Sequence, residues 1–188
     1  MEGGEDALDA VRSLAIKSCE VKMLFYEKVI REFQKARVKY VLVGGVAFNL
    51  LGGFRGTGDL DILVEMTDAN LARVVTVMKK LGFSVKQPVD PMGIADKRIR
   101  HDWIKNKHMK AFNFYRRDLQ EVDIIIDSPV SYGDAAKDAI IKEVDGVRLP
   151  VVSFRKLIRM KQKAGRVQDK ADILELKRLM SEDKRGRS

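Results

Sequence analysis

The sequence has a single cysteine, Cys19, among its 188 residues. One cysteine excludes a disulfide within the chain and a cysteine-based metal cluster, which favours a reducing compartment such as the cytosol. No apolar run approaches the roughly 20 residues needed to cross a bilayer. The acidic stretch MEGGEDALDA at the start does not resemble a secretory leader. We therefore expect a cytoplasmic protein with no contact to membranes.

Acidic residues are outnumbered by basic ones. The chain has 36 Lys and Arg against 27 Asp and Glu, a formal charge of +9, with 45% hydrophobic and 34% charged residues overall. This composition is typical of a globular protein. The positive balance favours anionic partners such as nucleotides, nucleic acid or phosphorylated substrates. Because the excess is scattered along the chain, it does not by itself indicate nucleic-acid binding.

Helical and strand-like patterns alternate along the chain. Apolar runs and alternating patterns predict strands at 39–45, 59–65, 83–89, 107–116, 119–127 and 147–153. Helical periodicity predicts helices at 6–36, 46–52, 69–82 (capped by Asp68), 131–142, 154–165 and 167–180, while 96–106 fits either a helix or a loop. The class is therefore α/β or α+β. We expect an N-terminal helical segment over 1–37, a core over 38–153, C-terminal helices over 154–180 and a flexible tail over 181–188.

The strand DLDILVE places two carboxylates on one face. Residues two apart in a strand point the same way, so Asp59 and Asp61 lie side by side, about 7 Å apart. Burying a charge is unfavourable unless something pairs it, and a bound cation can satisfy two carboxylates at once. For this strand alone, a half-exposed edge strand with solvated aspartates is an equally good interpretation.

A second carboxylate strand follows in EVDIIID. If it neighbours the first strand, Asp123 can join Asp59 and Asp61, and three hard oxygen ligands are typical of a Mg²⁺ site. Asp127 shares the face of Asp123 but lies about 13 Å farther along the strand, so we exclude it from the same site.

A glycine pair in VLVGGVAF separates a strand from a helix. Gly44 and Gly45 would let a phosphate approach the backbone, and the free N–H groups of the helix favour an anion. The spacing matches neither a Walker loop nor a G-x-G-x-x-G turn. A glycine pair alone is also compatible with a simple tight turn.

Together these elements resemble a known motif. VGGVAFNLLGGFRGTGDLDILV is similar to the core motif of the nucleotidyltransferase superfamily, which has the DNA polymerase β-like fold. The R-x-T-x-D-L-D pattern, which begins at Arg55 and Thr57, resembles bacterial nucleotidyltransferases of the abortive-infection type II toxin kind. The C-terminal stretch MKQKAGRVQDKADILEL is similar to their last helices. The resemblance covers residues from about 38 to 178.

The resemblance implies a mixed β-sheet with flanking helices and a C-terminal helical region. Gly44 and Gly45 would hold the β- and γ-phosphates of a nucleoside triphosphate, with ATP as the expected one. Asp59 and Asp61 would bind two Mg²⁺ ions, with Mn²⁺ as an alternative. Asp123 would complete the site of the metal that activates the attacking oxygen, or act as the general base.

Three further residues belong to the implied nucleotide site. Arg55 and Thr57 would order the loop beside the phosphates, although a role in stabilising the turn fits equally well. Lys161 would reach a phosphate, and a solvated helix lysine is the alternative. For Arg166 and the aspartates that follow it we expect structural ion pairs.

The implied activity is transfer of a nucleoside monophosphate from a triphosphate to an acceptor, with release of pyrophosphate. The resemblance leaves the acceptor open between an RNA, a protein hydroxyl and a small molecule such as an aminoglycoside. The excess of basic residues favours RNA or protein. The alternative is a catalytically silent binding module of this fold, or one component of a toxin–antitoxin pair with a cognate antitoxin partner.

Overall fold

The computed structural model describes residues 26–118 and 120–185, except for the side chain at position 184. The helix predicted over 6–36 is present from residue 26 to 35 (α1), and its earlier part lies outside the described residues. No helix in the described ranges is long and apolar enough to cross a membrane.

Within these ranges, seven strands form one mixed sheet in the order β3-β4-β5-β2-β1-β7-β6. The strands are β1 (Tyr40–Leu42), β2 (Asp59–Val64), β3 (Ser84–Val85), β4 (Ala111–Tyr115), β5 (Glu121–Ile125), β6 (Ile140–Val144) and β7 (Val147–Val151). β2 pairs with β5 and β1 pairs with β7 in parallel, whereas the other neighbours are antiparallel. The predicted α/β class with a mixed sheet is confirmed.

The helices connect and cover these strands. After α1 they are α2 (Gly44–Leu50), α3 (Asp68–Lys80), α4 (Lys97–Lys105), α5 (Tyr132–Lys137), α6 (Phe154–Ala164) and α7 (Val167–Arg185), with a 3₁₀ helix at Pro91–Ala95. α6 and α7 pack on each other, and α6 also contacts α2. Of the two C-terminal helices, α6 thus lies next to α2, the helix that begins with the glycine pair.

The core contains the apolar faces that the sequence patterns indicated. Ile62 and Ile124 are fully buried, because alternate residues of β2 and β5 face inward. Phe33 of α1 is fully buried as well. Trp103 stacks on the buried Phe112 with ring centroids 5.4 Å apart. This aromatic contact belongs to the core.

One predicted helix is wrong over part of its length. The helix expected over 131–142 ends at Lys137, and Ile140–Val144 forms β6, which pairs with β7. Asp145 and Gly146 join the two strands with φ of 49° and 71°. Positive φ at both central residues is typical of the two-residue hairpin turn for which Asp-Gly is a strong signal.

Two further predictions differ from the structure, and one open alternative is decided. Thr67, not Asp68, is the N-cap of α3, because its hydroxyl accepts the Asn70 N–H. The strand predicted over 83–89 is only two residues long, and the ambiguous stretch 96–106 forms α4.

The C-terminal helix is longer than predicted. α7 continues to Arg185, so the expected flexible tail is wrong for 181–185, while 186–188 lie outside the described residues. An ion pair between Arg178 and Glu182 stabilises this last part of the helix. The division of the chain into domains stays a prediction.

Candidate active site

The parallel pairing of β2 and β5 brings the predicted carboxylates to one place. Asp61 and Asp123 are direct partners in the register, and Asp59 lies opposite Glu121 one pleat earlier. Directly opposed residues share a face of the sheet. Asp59 is exposed, whereas Asp61 and Asp123 are half-buried. We call Asp59, Asp61 and Asp123 the carboxylate cluster.

The members of the carboxylate cluster repel one another. The pKa of Asp61 is raised from 3.8 to about 6, chiefly by burial and in addition by the charges of Asp123 and Asp59. Burial also raises the pKa of Asp123, to which the Asp59 charge contributes. Oδ1 of Asp123 is buried without a hydrogen-bond partner. Burial and repulsion therefore outweigh the hydrogen bonds and the basic charges that act on these two carboxylates.

Asp61 lies directly against the glycine pair. A Cβ at Gly44 would come within 1.8 Å of Asp61 Oδ2, and Gly44 also has φ of +63°. Val43 precedes α2 without a side-chain cap, and the Gly45 N–H donates to the Asp61 carboxylate instead. The glycine at position 44 is thus required by a close approach within the protein itself.

The loop before β2 packs against the second glycine. A Cβ at Gly45 would lie 2.4 Å from Thr57 Oγ1 and 2.8 Å from Arg55 Nη2. The side chain of Asn49 fixes this loop, because it donates to the Arg55 carbonyl at 3.0 Å and accepts the Arg55 N–H at 3.2 Å. Arg55 and Thr57 therefore lie beside the glycine pair. Their contact with phosphates stays a prediction.

Lys161 is buried, so its interpretation as a solvated lysine is wrong. Its Nζ lies 2.5 Å from Asp172 Oδ2 and 3.5 Å from Asp169 Oδ1, and all three side chains are at most 7% exposed. Nη1 of Arg55 reaches Asp172 Oδ2 at 3.6 Å. We call Lys161, Asp169 and Asp172 the ion-pair cluster. The predicted contact of Lys161 with a phosphate stays a prediction.

Two basic residues near the carboxylate cluster were not proposed as site residues. The charge of Arg166 lowers the pKa of Asp61, and the charge of Lys86 lowers that of Asp123. Lys86 also donates to Glu121 Oε2 at 2.6 Å. Arg166 stands in the C-terminal motif, which was a usable signal. Lys86 follows a strand of two residues, and only the tertiary structure brings it near Asp123.

Tyr26 forms hydrogen bonds at the N-terminal ends of both β2 and β5. Its hydroxyl donates to the Gly58 carbonyl at 2.7 Å, directly before β2, and accepts the Glu121 N–H at 3.4 Å. Burial raises its pKa to about 12, so the hydroxyl stays protonated and both hydrogen bonds persist at neutral pH.

Asp127 lies outside this arrangement. It follows the end of β5, is exposed, and forms an ion pair with Lys110 at 2.5 Å between Nζ and Oδ2. Among the residues that the structure describes, no three or more His, Cys, Asp or Glu side chains form a ready-made metal site. The carboxylate cluster is therefore not preassembled in the geometry of a metal centre.

Comparison with known proteins shows the fold. The solved structure of the antibiotic-resistance factor ANT(2'')-Ia, a nucleotidyltransferase, is similar to this chain with a TM-score of 0.52 and 14% identity. The likeness covers 85% of this chain and 82% of that one. The chain has a nucleotidyltransferase-type fold. No family model and no curated protein matches the sequence.

The observed fold agrees with the fold that the sequence resemblance implied. At 14% identity the likeness carries the architecture alone, and fold does not imply function. The chemistry must therefore be argued from the residues of the carboxylate cluster and its surroundings.

Proposed function

We propose that the protein is a cytosolic nucleotidyltransferase that moves a nucleoside monophosphate from a triphosphate, with ATP as the expected donor, to an acceptor hydroxyl. The acceptor oxygen would bond to the α-phosphorus as the bond to the bridging oxygen breaks, and pyrophosphate would leave. The hydroxyl proton would pass to a base of the protein.

The observation that carries this proposal is the register of β2 and β5. It sets Asp61 opposite Asp123 on one face of the sheet, next to the glycine pair, in a nucleotidyltransferase-type fold. A surface for binding alone would not need two half-buried carboxylates that repel each other.

The donor set fits divalent cations. The unpartnered Oδ1 of Asp123 and the mutually repelling carboxylates of Asp59 and Asp61 are hard oxygen ligands of the kind that Mg²⁺ or Mn²⁺ takes. When bound, such ions would offset charge on the attacking and leaving oxygens. Because these side chains are not preassembled, we expect the exposed Asp59 to adjust on binding.

Further residues would bind the triphosphate and accept the proton of the acceptor hydroxyl. Arg55 and Thr57 would face the triphosphate from the loop beside Gly45, and the exposed Arg166 would add positive charge near Asp61. Asp123 would accept the proton of the attacking hydroxyl as the general base.

The test supplies α-labelled nucleoside triphosphates and Mg²⁺ with a cell extract, followed by RNase or protease digestion. We expect label on a macromolecule or small molecule, and the treatment that frees it identifies the acceptor class. The Asp61→Asn and Asp123→Asn variants should label nothing. Asp127→Asn is the matched control, because Asp127 lies outside the cluster, and it should label as the wild type does.

Two outcomes would overturn the proposal. One is no labelling with any of the four triphosphates under conditions where a control enzyme works. The other is equal triphosphate binding by the wild type and Asp61→Asn with and without Mg²⁺, which would favour a silent binding module or a toxin–antitoxin component.

A further inference from the structure

Polar side chains continue the carboxylate cluster across the sheet. Asn113 of β4 is the register partner of Asp123, which is in turn the partner of Asp61. The row Asn113–Asp123–Asp61 therefore crosses three neighbouring strands on one face, where directly opposed Cβ atoms lie about 5 Å apart. Asn113 lies outside the nucleotidyltransferase-like motif over 43–64.

Gln87 holds the Asn113 side chain from outside the sheet. Its Nε2 donates to Asn113 Oδ1 at 2.5 Å and to the Ala111 carbonyl at 3.4 Å. Its Oε1 accepts the backbone N–H of Asn113 at 3.2 Å. Gln87 and Asn113 are both half-buried, so water competes only partly for these hydrogen bonds.

The direction of this chain of hydrogen bonds is set by the backbone. A backbone N–H can only donate, so the group of Gln87 that faces it must be the oxygen, and the amide nitrogen must face Asn113 Oδ1. With Oδ1 occupied, Asn113 presents its Nδ2 donor to the remaining neighbour, Asp123. Asn113 and Asp123 are directly opposed in the register of β4 and β5, so this donor lies within reach of the Asp123 carboxylate.

We propose that Asn113 and Gln87 are positioning residues that hold one oxygen of Asp123 and leave Oδ1 free to accept a divalent cation. The inference rests on the proposed function. The buried Oδ1 without a partner is the atom that this arrangement leaves available. An orienting partner behind a ligand typically contributes about 10–100-fold to metal affinity.

The primary measurement is the affinity of the purified full chain for Mn²⁺ without nucleotide, by calorimetry. Asn113→Ala should weaken Mn²⁺ binding by about 10–100-fold. Gln87→Glu should weaken it in the same direction, because the new carboxylate still accepts the Asn113 N–H but cannot donate to Oδ1. Two exposed residues supply the matched controls: Asn106, which caps α4 at its C-terminal end, and Gln34 of α1. Asn106→Ala and Gln34→Ala should bind as the wild type does.

A second readout reports position and not only affinity. The side-chain amide protons of Asn113 should shift in the NMR spectrum when Asp123 is changed to Asn, and again in Gln87→Glu. A role in stability alone would lower the melting temperature without these shifts. In an Asp123→Asn background, Asn113→Ala should cause no further loss of Mn²⁺ affinity, because the ligand that it orients is gone.

The outcomes separate the two proposals. If Asp123→Asn leaves Mn²⁺ affinity unchanged, the metal site of the proposed function fails. If Asp123→Asn weakens binding but Asn113→Ala and Gln87→Glu do not, the positioning role is wrong while the proposed function stands. Additive losses in the double variant would also overturn the positioning role, since they would mean that Asn113 acts independently of Asp123.

Discussion

The carboxylate cluster and the ion-pair cluster treat charge in opposite ways. In the ion-pair cluster, Lys161 lies between Asp169 and Asp172, and nearly every charged atom has a partner. In the carboxylate cluster, Asp61 and Asp123 are half-buried beside each other, and no basic side chain of the described residues forms an ion pair with either. Arg166 and Lys86 act on them only through their charge.

The difference separates a structural from a functional use of the same residue types. In the ion-pair cluster the buried charges of α6 and α7 neutralise each other, so no ligand is needed to balance them. Buried like charges are retained in spite of an unfavourable free energy, which is common where a ligand supplies the missing charge. The two clusters are linked through Arg55, which lies beside Gly45 and reaches Asp172.

Loss of a cluster carboxylate should have the largest effect, and it should be on activity. Asp61→Asn and Asp123→Asn each keep the shape of the side chain but remove the ionised oxygen. We expect nucleotidyl transfer to fall by at least roughly 10³-fold, in line with the several kcal/mol that a metal contributes to such a step. The measurement is the rate of label transfer, with Asp127→Asn as the control. A loss below tenfold would contradict the assignment.

Removal of the cation from the ion-pair cluster should affect stability next most strongly. Lys161→Met keeps the volume but leaves Asp169 and Asp172 buried without their partner. We expect the free energy of unfolding to fall by about 3–5 kcal/mol, measured by urea denaturation at pH 7. Lys163→Met, an exposed neighbour on α6, should change it by less than about 0.5 kcal/mol. Equal effects of the two variants would mean that Lys161 is not paired.

Removal of a charge from the carboxylate cluster should raise the stability of the protein, whereas Lys161→Met should lower it. The folded pKa of Asp61 is about 6 against an ordinary 3.8, so the folded protein binds this proton more tightly than the unfolded chain does. Stability therefore falls as the pH rises from about 4 through about 6 and stays lower above that. Asp61→Asn removes the penalty and should raise the free energy of unfolding above pH 6 by up to about 3 kcal/mol.

Urea denaturation from pH 5 to pH 8 without divalent cations checks this prediction. The advantage of Asp61→Asn over the wild type should grow as the pH rises, and Asp127→Asn should show no such trend. Mg²⁺ should stabilise the wild type more than Asp61→Asn, because only the wild type has the full set of ligands. A variant that is less stable than the wild type at pH 8 would contradict the raised pKa.

The link between the clusters should have the smallest effect. Arg55→Met removes a contact of 3.6 Å to Asp172, but Lys161 remains as the closer partner. We expect the free energy of unfolding to fall by less than about 1 kcal/mol, measured as for Lys161→Met. A fall as large as that of Lys161→Met would show that the two clusters act as a single network.

Much of the fold follows from local patterns. The alternation in DLDILVE and EVDIIID placed β2 and β5 correctly, because the period of two is a property of the strand itself. β6 was missed although Asp145 and Gly146 carry a hairpin signal, since the helical periodicity near residue 131 was extended too far. The tail over 181–185 was misjudged from its polar composition. A polar segment can continue a helix whose earlier turns are already packed, as α7 is packed on α6.

Amino-acid order alone therefore settled which residues carry carboxylates, which faces they share and where the glycines must be. The tertiary structure decided which strands lie side by side, and so whether Asp61 would meet Asp123 and whether Lys161 would be solvated or buried. It also brought Lys86, Asn113 and Gln87 to the site. The physical reason is range: strand alternation acts between neighbours in sequence, whereas burial and the resulting pKa shifts depend on residues that are distant in the chain and adjacent in space.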